Sequence, residues 1–407
     1  MLNANQEREL AYVVIVDGIE SIPGYDRVEH ALIGGWRVIV QKGQFNVGDP
    51  AIYFEIDSRV PSDRECFAFL EKRHYKVKTL KMCKTLSQGL LMHASDFGWT
   101  IDSNISISGA IIDDEGNIHY ANDESRFLTK KLGVTYADDE DNSRKAPSVD
   151  KYKKMTVRHP KIFKKPFIRW MMKYNWGRKL LFFFFGKKKD KKGGWPSWVQ
   201  KTDEERVQNM PWILNDEGNW IATEKIDGTS TTFTMKRGKF GKKDFFVCSR
   251  NVCFDTIDKP CYYDTNVYWE MAQKYKLFEV LSDMLDKNPA EEWITIQGET
   301  YGATVQKRDY SIENRDLAVF NLIYSSRGRV GTMEMIDSMN KYNIPCVPVI
   351  EEQIKINSFK NVDAILAYAE GNSQLDGKPR EGIVFRSDDG TKSFKAVSNS
   401  FLIKYHG

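Results

Sequence analysis

Residues 223–234 read TEKIDGTSTTFT. β-prone residues run up to Glu224 and Lys225, an Asp-Gly step follows, and a second β-prone run begins at once. Asp-Gly between two such runs is a strong hairpin signal, and on that reading Lys225 is a charge beside a turn. On a second reading Lys225 is a reactive amine set on a strand end, beside Asp227 and ahead of Gly228. The twelve residues leave both open, and the rest of the chain decides between them.

The chain has 407 residues, room for about two or three domains and a substantial core. Its first residues, MLNANQEREL, are polar and carry no apolar signal-peptide core. The most apolar stretch, IRWMMKYNWGRKLLFFFF at 168–185, is interrupted by Arg169, Lys173, Arg178 and Lys179. A membrane span needs about 20 mostly uncharged residues, so none is expected. Six cysteines show no CxxC pair and no partnered histidines, which points to reduced thiols, no zinc site and a cytoplasmic protein.

The net charge of +4 hides an asymmetry. Residues 151–192 hold sixteen Lys and Arg against Asp190 alone, so the remainder sums to −11. Part of that balance is DDED at 138–141. The basic block is interleaved with Trp170, Tyr174, Trp176 and Phe182, a composition suited to phosphates and stacked bases. A solvated insertion whose charge only aids solubility is the plain alternative.

Short strand-like runs recur through the first ~100 residues: AYVVIVDGIESIPG, then ALIGGWRVIVQKGQFNVGDPAIYFEI, then YKVKTLKMCKTLSQGLLMHA. About five such strands fit an OB-like β-barrel over 1–104. Residues 105–194 read as a connector carrying the acidic patch, the basic aromatic insertion and a short helical signal in DESRFLTKKLGV. From 195 to 407 strand-like and helical runs alternate, among them the amphipathic VYWEMAQKYKLFEVLSDMLDK, which predicts an α+β domain with mixed sheets.

Four further stretches follow EKIDG in order: CSRN (248–251), IQGETYG (296–302), LAVFNLIY (317–324), and REGIVFRS with SFKAV (380–387 and 393–397). Taken together, the five resemble the nucleotidyltransferase motifs of the covalent superfamily of polynucleotide ligases and mRNA capping enzymes. The resemblance implies that Lys225 attacks the α-phosphorus of ATP, for which the amine must be neutral. Lys395, Arg386 and a bound metal are expected to lower its pKa. Lys395 and Arg250 would face the charge developing on phosphorus, with Asp227 in the catalytic set. Glu381 is the expected ligand for Mg2+ or Mn2+. Glu299 matches the acid that binds the ribose hydroxyls, Phe320 the aromatic stacked on adenine, and Arg250 the arginine near the ribose and the accepting strand end. Glu224, Arg206 and Arg386 complete the expected nucleotide-binding set. Seen singly, Phe320 would be core, Glu299 an edge-strand charge and Arg250 a surface residue; their joint order carries the reading.

Upstream, WPSWVQKTDEERVQN (195–209), with IPGYDRVEHALIGGWRVIVQKGQFNVGDPAIYFEIDSRVP and LSQGLL near the N-terminus, resembles one branch of that superfamily. This branch is the ATP-dependent RNA ligases of the Deinococcus and Naegleria type, an OB domain followed by an adenylyltransferase domain. The likeness covers about 1–100 and 195–407. It implies a monomeric ligase that joins RNA 3′-OH and 5′-phosphate ends, in a nicked duplex or single strands, through lysyl-AMP and adenylylated RNA. The last motif departs from the common Lys-x-Lys, with Val397 at the second position and Arg386 or Lys404 as candidate substitutes. DNA ligases and capping guanylyltransferases share the lysine chemistry but usually place an OB domain after the last motif, where only twelve residues follow Lys395. A non-catalytic OB-type RNA-binding protein is opposed by intact Lys225, Glu299, Glu381 and Lys395.

Overall fold

A computed structural model describes residues 1–2, 7–98, 110–112, 118–120, 127–137, 165–172, 174, 181, 195–254, 256–258, 261–263, 265–306 and 308–406. The DDED patch and most of the basic aromatic block lie outside them.

The N-terminal strands form the expected OB-fold barrel. Ala11–Ile15 pairs antiparallel with Pro50–Phe54, which pairs in turn with Leu90–Met92. Gly18–Ile22, Tyr25–Ile33 and Trp36–Gln41 form an antiparallel meander. Ala11–Ile15 is buried along its whole length because both faces are covered. Tyr12 and Val14 join Trp36, Val38 and Tyr53 in one core. Ala11 and Val13 join Phe67 and Leu70 in a second, which also contains Leu128, Leu132 and Val134. Burial of each of these last three side chains is worth roughly 1.5–3 kcal/mol, so part of the sequence-defined connector is fastened to the barrel. Hydrogen bonds agree: Leu10 and Ala11 N–H both donate to the Thr129 hydroxyl, and Thr135–Tyr136 pairs with Ser58–Arg59.

Beyond residue 195 the chain builds two antiparallel sheets. The larger has Thr229–Arg237, Trp293–Gly302 and Arg315–Tyr324 at its centre and is backed by helices Val267–Lys274, Leu277–Lys287 and Thr332–Asn340. The smaller orders Val349–Ile354, Trp220–Lys225, Gly382–Ser387 and Ser393–Val397, backed by helix Val362–Ala369. The two helices 267–274 and 277–287 replace the single amphipathic run legible in the sequence. Lys276 adopts a left-handed conformation (φ 48°) between them, and the chain turns there so that both apolar stripes reach the same core.

EKIDG is not a hairpin. Trp220–Lys225 pairs with Val349–Ile354 and Gly382–Ser387, whereas Thr229–Arg237 pairs with Lys243–Ser249 and Trp293–Gly302. The motif is therefore the crossing between the two sheets. Ile226 anchors it, buried with Tyr301, Tyr310, Ala318 and Val347. Gly228 is needed for close approach: a Cβ there would sit 2.3 Å from the Thr300 carbonyl oxygen. Among the described residues no helix is long and apolar enough to cross a membrane.

Candidate active site at the sheet junction

The crossing opens onto a cavity of about 300 Å3 between the two sheets. Lys225 enters it from the end of its strand. Its neighbour Gly382 lies so close to the next strand that a Cβ would meet the Ala396 carbonyl oxygen at 2.2 Å. Glu299 reaches the cavity from the larger sheet, opposite Ser230 in register, and Phe320 from the adjoining strand. Lys395 lies opposite Val384 on the last strand. Glu224, Arg250 and Arg386 also line the cavity. The structure thus brings together most of the nucleotide-binding and catalytic residues expected from sequence.

The lysine is held by carboxylates. Lys225 Nζ lies 2.7 Å from Glu381 Oε1. Burial pulls the Lys225 pKa down, but the attraction of Glu381, Glu299 and Asp227 outweighs it, and the net shift is upward. This corrects the expectation that nearby cations lower it. The depressed amine is Lys395, brought down to about 8 by burial and by the like charges of Arg206 and Lys225. Glu299 moves the other way, pushed up to about 8 by burial, with Glu381 and Asp227 adding to the rise against the attraction of Lys225. The site therefore holds two ionisable groups that titrate near neutrality, a common property of catalytic clefts.

Arg386 is nearly buried (3% of its side chain exposed), and its Nη2 lies 3.0 Å from Glu204 Oε1. Its guanidinium sits 5.7 Å from the Phe320 ring centroid, so it braces that ring while Glu204 neutralises it. Glu204 also takes Arg329 at 3.4 Å and accepts from the Ser393 hydroxyl. Burial alone would raise the Glu204 pKa, but Arg386 and Arg329 bring it below the ordinary carboxylate range. Lys404 is exposed and does not line the cavity, and Val397 packs with Leu86 and Leu402 where the two domains meet. Arg250 pairs with Asp203 at 2.7 Å on the cavity rim. Arg206 does not line the cavity. Its guanidinium lies 5.8 Å from the Trp36 ring of the barrel, while its backbone bridges in parallel to Lys395.

Sequence reasoning missed the residues that hold the crossing in place. The Asp227 N–H donates to the Tyr310 hydroxyl at 2.6 Å, and Gln306 Nε2 donates to the Gly228 carbonyl at 2.9 Å. Glu204 was visible only as part of KTDEER. That segment lies along the final strand, with the Lys395 N–H donating to the Glu205 carbonyl at 2.7 Å.

A hard divalent cation fits at Glu381, whose Oε2 is buried without a hydrogen-bond partner. Among the described residues no three His, Cys, Asp or Glu side chains form a metal cage, so water and phosphate oxygens would complete the shell. Glu224 Oε1, also buried and unpartnered, is a second orphaned acceptor on the cavity wall.

Residues 218–406 match the RNA ligase family model, and residues 10–94 match an OB-fold domain model. No curated protein matches the chain. Among solved structures, Naegleria gruberi RNA ligase with pyrophosphate superposes with a TM-score of 0.63 at 23% identity, covering 98% of this chain and 99% of that one. A variant of the same protein with ATP and Mn gives 0.65 at 24% identity, covering 98% and 100%. Another, with AMP and Mn, gives 0.64 at 24%, covering 98% and 99%. The shared architecture is an OB-fold barrel followed by sheets backed by helices, antiparallel here rather than mixed as expected from sequence.

Proposed function

We propose, from the place of residues 218–406 in the RNA ligase family, that this chain is an ATP-dependent RNA ligase acting through a covalent lysyl-AMP. The observation that carries the reading is the Lys225–Glu381 pair, 2.7 Å apart beside a cavity that also presents Lys395, Glu299 and Phe320.

Phe320 offers its ring to the adenine, braced by Arg386, and the unpartnered Glu224 Oε1 suits the purine's exocyclic amino group. Glu299, protonated for much of the time at neutral pH, can donate as well as accept toward the ribose hydroxyls. The Lys225 amine attacks the α-phosphorus, the N–P bond forms and pyrophosphate departs. Glu381 Oε1, 2.7 Å from the Nζ, is placed to take the ammonium proton before attack and to pass it on to solvent. Lys395 and Arg250 face the phosphates, and substrate anions beside Lys395 would hold the positive charge that burial disfavours. Held at Glu381, Mg2+ or Mn2+ would neutralise phosphate charge and take over the ammonium's role as counter-charge to that carboxylate. AMP then passes to an RNA 5′-phosphate, and a 3′-OH displaces it to seal the strand.

In this reading the N-terminal unit, 1–104 together with 127–137, binds RNA, residues 195–407 carry the chemistry, and the chain works as a monomer. Cys66, Cys83, Cys261 and Cys346 are free thiols, in keeping with a cytoplasmic enzyme. Incubation with radiolabelled ATP or GTP and a divalent cation, followed by a denaturing gel, tests the assignment. ATP label on wild type, absent from Lys225→Ala, is expected. Equal labelling of the variant would end the proposal, and preference for GTP would move the chain to the capping class.

A further inference from the structure

A second cavity lies wholly within the barrel, apart from the lysine site. It is a groove of about 800 Å3 bordered by the Trp36–Gln41 strand, the Glu65–Arg73 helix and the Thr79–Gln88 hairpin. Its charge is one-sided. Lys72, Arg73, Lys76 and Lys78 line it against a single acid, Asp96. The stretch EKRHYKVKTLKMCK (71–84) holds six Lys and Arg against Glu71, so the imbalance extends along the lip to Lys81 and Lys84. Two apolar side chains stand in this basic field where water should disfavour them: Phe69 is 60% exposed and Met82 is 41% exposed. Cations along a channel with an open aromatic face are what a sequence-tolerant single-strand site requires, the cations for phosphates and the ring for a base.

The groove is also connected to the chemistry. The Trp36–Gln41 strand forms part of its wall and begins at Trp36, over which Arg206 lies; Arg206 in turn bridges to Lys395. The hairpin on the other side is fixed to the catalytic domain, where Leu86 packs with Val397 and Lys81 Nζ donates to the Ile403 carbonyl at 2.8 Å. A strand lying in the groove is thereby held in fixed relation to Lys225.

We propose that this groove is the docking site for a single-stranded segment of the RNA substrate. Lys72, Arg73 and Lys78 contact successive phosphates, and Phe69 stacks on a base. The proposal rests on the RNA ligase reading and specifies where that enzyme grips its substrate.

The test uses the full chain, a fluorescein-labelled 12-nucleotide oligo(U) RNA, and anisotropy across a range of salt concentrations. Replacing Lys72, Arg73 and Lys78 together with glutamine should flatten the log–log salt dependence of binding by about 2, at about 0.7 per lost single-strand contact. Phe69→Ala should weaken binding by about five- to a hundredfold and leave that slope unchanged. Both variants replace exposed side chains and should form lysyl-AMP at the wild-type rate, which shows that they are folded. Wild-type affinity and slope in the triple variant would overturn the proposal, as would a greater loss for a blunt duplex than for the single strand. Failure of wild type to form lysyl-AMP would instead sink the ligase reading.

Discussion

Lys395 should weaken the fold it serves. Its pKa is brought from 10.5 to about 8 by burial and by Arg206 and Lys225, so the folded chain holds the lysine's proton less readily than the unfolded chain does. Protonation therefore costs stability. The cost is fully present below about pH 8 and is relieved as pH rises from about 8 towards 10.5. Full linkage gives about 3 kcal/mol at pH 7 and about 1.4 kcal/mol at pH 9.5. The side chain keeps some exposure to solvent, and discounting for screening halves these to about 1.5 and 0.7 kcal/mol. Lys395→Met keeps the aliphatic stem and removes the charge. The variant should melt about 3–6 °C higher than wild type at pH 7, with roughly half that gain at pH 9.5. Calorimetry of the ligand-free proteins at the two pH values reads the effect, and the labelling gel should show lysyl-AMP formation collapsing in the same variant. Destabilisation at pH 7, or a gain that fails to shrink at pH 9.5, would refute the reasoning. Gain of stability with loss of activity is the signature of a charge kept for function at the expense of the fold.

Glu204→Ala should lower stability by about 3–5 kcal/mol, read as a reduced urea midpoint, because it leaves the nearly buried Arg386 without its counter-charge. It should also raise the KM for ATP, since Arg386 braces Phe320. Tyr310→Phe orphans the Asp227 N–H at a cost of about 1–3 kcal/mol, and it should slow lysyl-AMP formation at saturating ATP while leaving nucleotide affinity near wild type.

What the sequence revealed and what it hid divide along a physical line. Lys225, Glu299, Glu381 and Lys395 could be singled out because the strands that bear them follow in a readable order, and the structure brings them together at one cavity, as the proposed nucleotidyl transfer would require. The hairpin reading of EKIDG failed because local β-propensity is the same whether two strands pair or part. The deciding partners are Val349–Ile354 and Gly382–Ser387, more than a hundred residues downstream. Tyr310 was invisible for a related reason: it lies at φ 53° in an irregular stretch with no periodicity, and its role is one hydrogen bond to a distant backbone. Arg206 shows that a motif can be read without its side-chain direction, for its guanidinium lies over Trp36 in the other domain. The sign of the Lys225 shift was beyond residue types altogether, because cations and carboxylates both surround it and only distance decides. Glu381 at 2.7 Å, together with Glu299 and Asp227, outweighs burial, so on the proposed reading the free enzyme stores its nucleophile as an ammonium. That state is inert toward phosphorus. On the proposed reading, a nucleophile kept protonated by the same carboxylate that suits a divalent cation would be silent until that carboxylate has another charge to answer, which would tie the amine's reactivity to substrate loading.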